Sequence, residues 1–149
     1  MHVGNHPAIK VHQFVILLDK LLDRELKKTN TISFSQFMIL AAVNFHPGLS
    51  QKMIANARQT TEAAVSRHVV SLVKKGYLTT SVNSKDRKVH VLKLSPKGKK
   101  LFAQGSQVVE KTMNHVFNQL PKQNIDDLVK SFDIMLTTLQ VEFPDLSCQ

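Results

Sequence analysis

The stretch TTEAAVSRHVVSLVKKG, residues 60–76, sets one arginine among small and hydroxyl-bearing side chains at spacings that a helix gathers on one side. Each helical residue turns about 100° around the axis. With Val65 pointing inward, Ala63, Arg67, Val70 and Lys74 therefore point outward, flanked by Thr60, Ser66 and Ser71. Such a face suits the major groove of a DNA duplex. Arginine can bond the O6 and N7 of guanine in a bidentate way, serine and threonine reach bases or phosphates, and alanine or valine touches a thymine methyl. An ordinary solvated helix face has the same composition, so the surrounding sequence has to decide between the two.

A second group of chemically useful residues lies just downstream, in NSKDRK at 83–88. All six are polar, and Asn83 and Asp86 suit a turn. Lys85, Arg87 and Lys88 are expected to neutralise phosphates. The first turns of two nearby helices, at Ser50 with Gln51 and at Thr60 with Thr61, offer N–H groups to the same partner.

Other chemistry is thinly represented. The seven histidines, His2, His6, His12, His46, His68, His90 and His115, include no pair at i, i+4 spacing within a carboxylate-bearing helical motif, so no metal site is expected. The sequence has no glycine-rich phosphate loop and no recognisable nucleophile motif, which argues against an enzyme and against a bound cofactor. The single cysteine, Cys148, excludes an intrachain disulfide framework and points to a reducing cytoplasm. Its acidic neighbour Asp145 does not favour the thiolate that a redox role needs.

The elements that must hold these groups in place are legible in the periodicity. Residues 8–28 place Val11, Phe14, Val15, Leu18, Leu22 and Leu26 at helical spacing, and Ile16 and Leu17 widen the apolar arc, so this helix needs partners on two sides. Its run FVILL is broken by Asp19 and Lys20, which makes it too short for a signal peptide or a membrane span. SQFMILAAVN at 35–44 reads as a second helix with Ser35 as N-cap, stopped by HPG at 46–48. Ser50 caps a short third helix, with Leu49 and Ile54 at the positions of a hydrophobic staple. Thr60 is then expected to cap the helix that carries Arg67, with Val65, Val69, Leu72 and Val73 inward and a basic last turn closed by Gly76. YLTTSV at 77–82 and VHVLKL at 89–94 read as the strands of a hairpin around the charged turn. Ser95 and Pro96 start a further long helix, and Pro121 precedes a last one with an apolar stripe from Ile125 to Phe143.

A chain of 149 residues with 42% apolar content is enough for one compact domain. The net charge of +9 is unevenly spread: residues 49–100 hold twelve Lys or Arg against two acids, and the remaining 97 residues hold eight against nine. The excess positive charge thus sits entirely on the stretch that contains the groove-like face and the basic turn, as a polyanionic partner would require.

From Leu49 to Leu101 the chain resembles the MarR family of bacterial transcriptional regulators. The residues that carry the resemblance are SQFMIL on the second helix, VSRHVVSLVKKGYL, the DRK of the turn, and LSPKG, which matches the family's leucine, threonine or serine, two variable residues and glycine. The helical patterns before residue 45 and after residue 95 also fall where the family has them.

The resemblance implies a mainly α fold with a small β-hairpin wing, within a single domain spanning 1–149. Residues 46–95 would form the DNA-binding winged helix-turn-helix, flanked by dimerisation helices at 8–45 and 96–143. It implies a cytoplasmic homodimer that binds a pseudo-palindromic double-stranded DNA site and represses transcription. It also brings the expectation of a small aromatic or phenolic ligand between the dimer helices and the winged helix, where Phe14, Phe34, Phe37, Met38 and His46 are candidates. In the family's wing an Asp is followed one residue later by an Arg that enters the minor groove. Here Asp86 is followed at that spacing by Lys88, with Arg87 between them, so either Lys88 or Arg87 takes that place and Asp86 supports the tip. Some members of the family sense oxidants through a cysteine on the first helix, where this chain has none. The competing expectation is a winged-helix module without ligand switching, which coats DNA or docks a protein; two protected half-sites in a footprint, against uniform coating, separate the two.

Overall fold

The computed structural model describes residues 6–82 and 90–142. Lys85, Asp86, Arg87 and Lys88 of the expected wing tip lie outside the described residues, as do His2 and Cys148.

Helix α1 (Pro7–Asn30) starts behind His6, whose Nδ1 accepts the Ala8 N–H, with Pro7 at the position where a missing N–H costs nothing. It ends in a basic turn, Lys27 and Lys28, that suits the negative end of the helix. Helix α2 (Phe34–Phe45) is capped by Ser33 and not by Ser35. The Ser33 hydroxyl accepts the Gln36 N–H at 3.1 Å, and the Gln36 side chain accepts the Ser33 N–H at 3.1 Å, so two donors that the helix leaves unpaired are satisfied reciprocally. Ser35 is simply inside the first turn.

Asp23 on α1 supplies a further cap by accepting the Phe34 N–H at 2.9 Å. The hydrogen bond from Lys27, more than the one from Phe34, holds the Asp23 carboxyl below its ordinary value, against partial burial that pushes it up. A carboxyl depressed in the folded state stabilises the fold above the unfolded value of about 4 and loses that contribution as pH falls through the folded value. Asp23→Asn is therefore expected to cost about 1 kcal/mol at neutral pH, below the range of about 1.5–3 kcal/mol for a buried charged hydrogen bond because a third of the side chain is in water. In urea unfolding the difference from wild type should shrink as the pH is lowered below about 4.

Helices α3 (Gln51–Ala57) and α4 (Glu62–Lys74) are joined by a tight turn. Ser50 caps α3 by accepting the Met53 N–H at 3.2 Å. Thr61, not Thr60, caps α4, accepting the Ala64 N–H at 3.2 Å. The reason is that Thr60 still belongs to the end of α3: its N–H donates to the Ala55 carbonyl at 3.0 Å, while Gln59 takes a left-handed conformation with φ 48° to turn the chain. One hairpin follows, β1 (Leu78–Val82) antiparallel to β2 (His90–Leu94), with Leu78 opposite Leu94 and Val82 opposite His90. The Leu92 N–H donates to the Leu49 carbonyl at 2.9 Å and seats the hairpin on the start of α3.

One core unites these parts. Leu26 of α1, Phe37 and Leu40 of α2, Ile54 of α3, Val65, Val69 and Leu72 of α4, and Leu78 and Leu92 of the hairpin are all buried in it. It extends through Leu101 to helix α5 (Pro96–Phe117), which packs along α1. Helix α2 thus bridges the winged helix and the long helices. Helix α6 (Lys122–Glu142) buries none of its residues within the single chain.

Candidate nucleic-acid interface

The outward face of α4 is built by what lies behind it. Val65, Val69 and Leu72 are buried, which turns Ala63, Arg67, Val70 and Lys74 to solvent, and Val70 is 62% exposed. A single exposed valine is ordinary on a protein surface, but on this small polar face it is available for an apolar contact. Val73, expected inward, is instead partly exposed, because its angular position lies at the margin of the buried arc. Ser71 turns away from the face, since its hydroxyl accepts a hydrogen bond from the Gln36 amide of α2 at 3.3 Å. Ser66 is half-buried beside Arg67.

Electrostatically the face is unbalanced. Among the described residues, every ion pair lies on α1 or α6, and none involves α3, α4 or the hairpin. Arg67 and Lys74 are exposed with no carboxylate to satisfy them, and Lys52 on α3 is in the same state. At the helix starts, the Ser50 and Thr61 hydroxyls serve as caps and so fix the first turns of α3 and α4, with Gln51 half-buried and Thr60 exposed alongside. Helices α3 and α4 pack on each other, and the hairpin contacts both, β1 against α4 and β2 against α3.

A second feature is an open groove of about 620 Å³ between α2 and α5. Phe37, Met38 and His46 line it as expected from sequence, whereas Phe14 and Phe34 do not. Phe14 meets Phe117 edge-on at 5.9 Å, and Phe34 stacks behind Phe37 at 6.4 Å. Phe45 and Phe102 take their places, packed edge to face at 5.8 Å, with Arg58 and Glu110 at the polar rim. Phe102 was visible in the sequence only as one apolar residue of a long helix. Gly105, one turn on, leaves room for the Phe37 ring that stacks on Phe102: a Cβ there would lie 2.8 Å from that ring.

The third feature is an apolar surface with nothing against it in the single chain. On α1 Leu17 is 65% exposed, and on α6 Ile134, Leu136 and Leu139 are 69%, 54% and 49% exposed. Among the described residues no group of histidine, cysteine and acidic side chains could hold a metal ion, and no helix is long and apolar enough to cross a membrane.

Comparison with known proteins agrees with this geometry. Residues 30–88, from the end of α1 to the basic turn, match a family model described as MarR family. The chain is similar to the HTH-type transcriptional regulator BilQ of Clostridium symbiosum, at 26% identity over 99 residues that span 66% of this chain and 68% of that protein. Its fold is similar to that of S. aureus MepR in a complex with DNA, with a TM-score of 0.78 and 21% identity over 90% of this chain and 98% of that one. It is also similar to that of Rhodococcus jostii CouR bound to p-coumaroyl-CoA, with a TM-score of 0.77 and 13% identity over 95% of this chain and 94% of that one. The architecture is mainly α with a β-hairpin wing, a winged helix-turn-helix carried by long flanking helices.

Proposed function

We propose that the chain is a DNA-binding transcriptional regulator of the MarR family, acting as a cytoplasmic homodimer that represses transcription from a pseudo-palindromic operator; the match of residues 30–88 to the family model and the likeness to BilQ support this. The observation that carries this reading is the outward face of α4, where Arg67 and Lys74 stand uncompensated beside Ala63 and the exposed Val70. In this reading Arg67 bonds a guanine edge in the major groove, and Ala63, Ser66 and Val70 shape the neighbouring contacts. Lys74, the first turns at Ser50, Gln51, Thr60 and Thr61, and the wing residues Lys85, Arg87 and Lys88 neutralise phosphates, with Asp86 holding the wing tip. Either Lys88 or Arg87 enters the minor groove, where arginine is favoured.

The dimer reading rests on the bare apolar faces of α1 and α6, which a second copy would cover, with 8–45 and 96–143 as the dimerising part and 46–95 as the reader. Two-fold symmetry would then set the half-sites about 34 Å apart, one turn of DNA. Release by a small aromatic or phenolic ligand is supported by the aromatic groove with Arg58 at its rim, and by CouR, a protein of the same fold bound to an aromatic thioester.

Base reading and phosphate neutralisation leave different signatures. Arg67→Ala should cost about 1–3 kcal/mol on the operator and blur one position per half-site, while Lys85→Ala should weaken operator and random DNA alike. Affinity measured from low to high salt should fall with a slope near −7 for about eight phosphate contacts in the dimer. Equal losses on specific and random DNA for both variants would remove Arg67 from base reading.

A further inference from the structure

The start of α5 is fastened to the end of α4 by contacts that the DNA-reading face does not itself need. Helix α4 closes with Gly76 at φ 75°, its N–H on the Val73 carbonyl and the Tyr77 N–H on the Leu72 carbonyl, each at 2.9 Å. This pair of bonds satisfies the last turn and sends the chain into β1. Ser95, which caps α5 by accepting the Gly98 N–H at 2.9 Å, also donates its hydroxyl to the Gly76 carbonyl at 2.6 Å and its N–H to the Tyr77 carbonyl at 3.1 Å. One residue thus ends one helix and begins another.

Lys97 adds a second tie. Its ammonium donates to the Lys75 carbonyl at 2.9 Å and sits 4.7 Å from the centre of the Tyr77 ring. A cation is favoured there twice over, by the negative end of α4 and by the ring face. Gly98 makes the approach possible, because a Cβ at that position would lie 2.0 Å from the Tyr77 carbonyl oxygen. Lys97 itself is exposed and caps nothing in its own helix, so it adds little to folding.

We propose that Lys97 is a positioning residue: by bridging Lys75 and Tyr77 it fixes the angle between α4 and α5, and so selects the half-site spacing that the dimer accepts. The inference rests on the reading above, in which α4 reads DNA and α5 belongs to the dimerising part. Ser95 alone ties the start of α5 to the neighbouring Gly76 and Tyr77 carbonyls, in the turn that leaves α4. The Lys97 ammonium adds a contact to the Lys75 carbonyl, at the C-cap of α4 itself, and one to the Tyr77 ring, and so narrows the angles the two helices can take.

The test compares wild type, Lys97→Met, which keeps the stem and loses the donor, and Lys97→Arg, which keeps both. Each is titrated by fluorescence anisotropy on the operator selected from random DNA by the wild type, and on versions with one or two base pairs inserted or one removed between the half-sites. One inserted base pair rotates the half-sites by about 35° and separates them by about 3.4 Å. Wild type and Lys97→Arg should lose about tenfold on that duplex, and Lys97→Met less than about threefold, with its preference among spacings flattened. A Lys97→Met protein with the wild-type spacing profile overturns the proposal, including the case of an equal loss on every duplex, which marks a plain phosphate contact. A wild-type protein indifferent to spacing overturns the proposal together with the dimer reading, and sedimentation of the wild type as a dimer or a monomer shows which part of that reading failed.

Discussion

Replacing Leu136 and Leu139 on α6 with glutamate is expected to turn the proposed dimer into monomers and to lower affinity for a two-half-site operator by at least about 100-fold. Both side chains are about half exposed in the single chain, on a helix that buries no residue there, and the apolar half of α1 is equally bare. Such surface in water costs about 25 cal/mol for each Å², which a second copy would recover. Two carboxylates inside that contact would have to be desolvated without partners, which is far more costly than exposing two leucines. The winged helix itself would be untouched, since its core lies in α2 to β2 with Leu26 and Leu101. Each monomer should therefore keep weak half-site binding and lose only the gain from tethering two readers. Analytical ultracentrifugation and anisotropy on one-half-site and two-half-site duplexes check this, with circular dichroism for the fold. A variant that stays dimeric with full affinity would place the interface elsewhere.

Of the described glycines, Gly98 should tolerate an added methyl least, in the variant Gly98→Ala. The added Cβ would meet the Tyr77 carbonyl oxygen at 2.0 Å and its carbon at 2.9 Å, and both are backbone atoms that no rotamer change can move. Helix α5 would have to lift from the end of α4, breaking the Ser95 and Lys97 bonds that cross there. A loss of about 3 kcal/mol and a fall in Tm of about 5–10 °C are expected, measured at equal protein concentration because a dimer's Tm depends on it. Gly105→Ala provides the contrast. Its Cβ would come within 2.8 Å of the Phe37 ring, a side chain that can shift toward the groove, so the loss should be smaller even though the site is equally buried. Equal losses at the two positions would mean that the α4–α5 contact yields as easily as a ring does.

The two glycines also show where reading from residues succeeds and where it stops. The LSPKG motif announced a helix start from Ser95 and Pro96, and the helix is there with both residues in those roles. That Gly98 is needed for a close approach to Tyr77 depends on a residue 21 positions earlier in the chain, and nothing local encodes it. The caps follow the same rule at shorter range. Ser50 and Gly76 have no rival within their own turn, so local sequence is enough to place them. At Ser33 against Ser35, and Thr60 against Thr61, two hydroxyls competed within one turn, and hydrogen-bond geometry chose between them.

By its sequence alone the protein determined its helices, its hairpin strands, the outward set Ala63, Arg67, Val70 and Lys74, and the charge asymmetry around them. These follow from periodicities of a few residues and from side-chain chemistry, which do not depend on the rest of the chain. Only the tertiary structure decided that Phe45 and Phe102 line the groove in place of Phe14 and Phe34, that Ser71 faces α2, and that Lys97 bridges α4 to α5. Those contacts join residues far apart in sequence, and they exist because the common core of Leu26, Phe37, Leu72 and Leu101 brings the helices together at one particular set of angles.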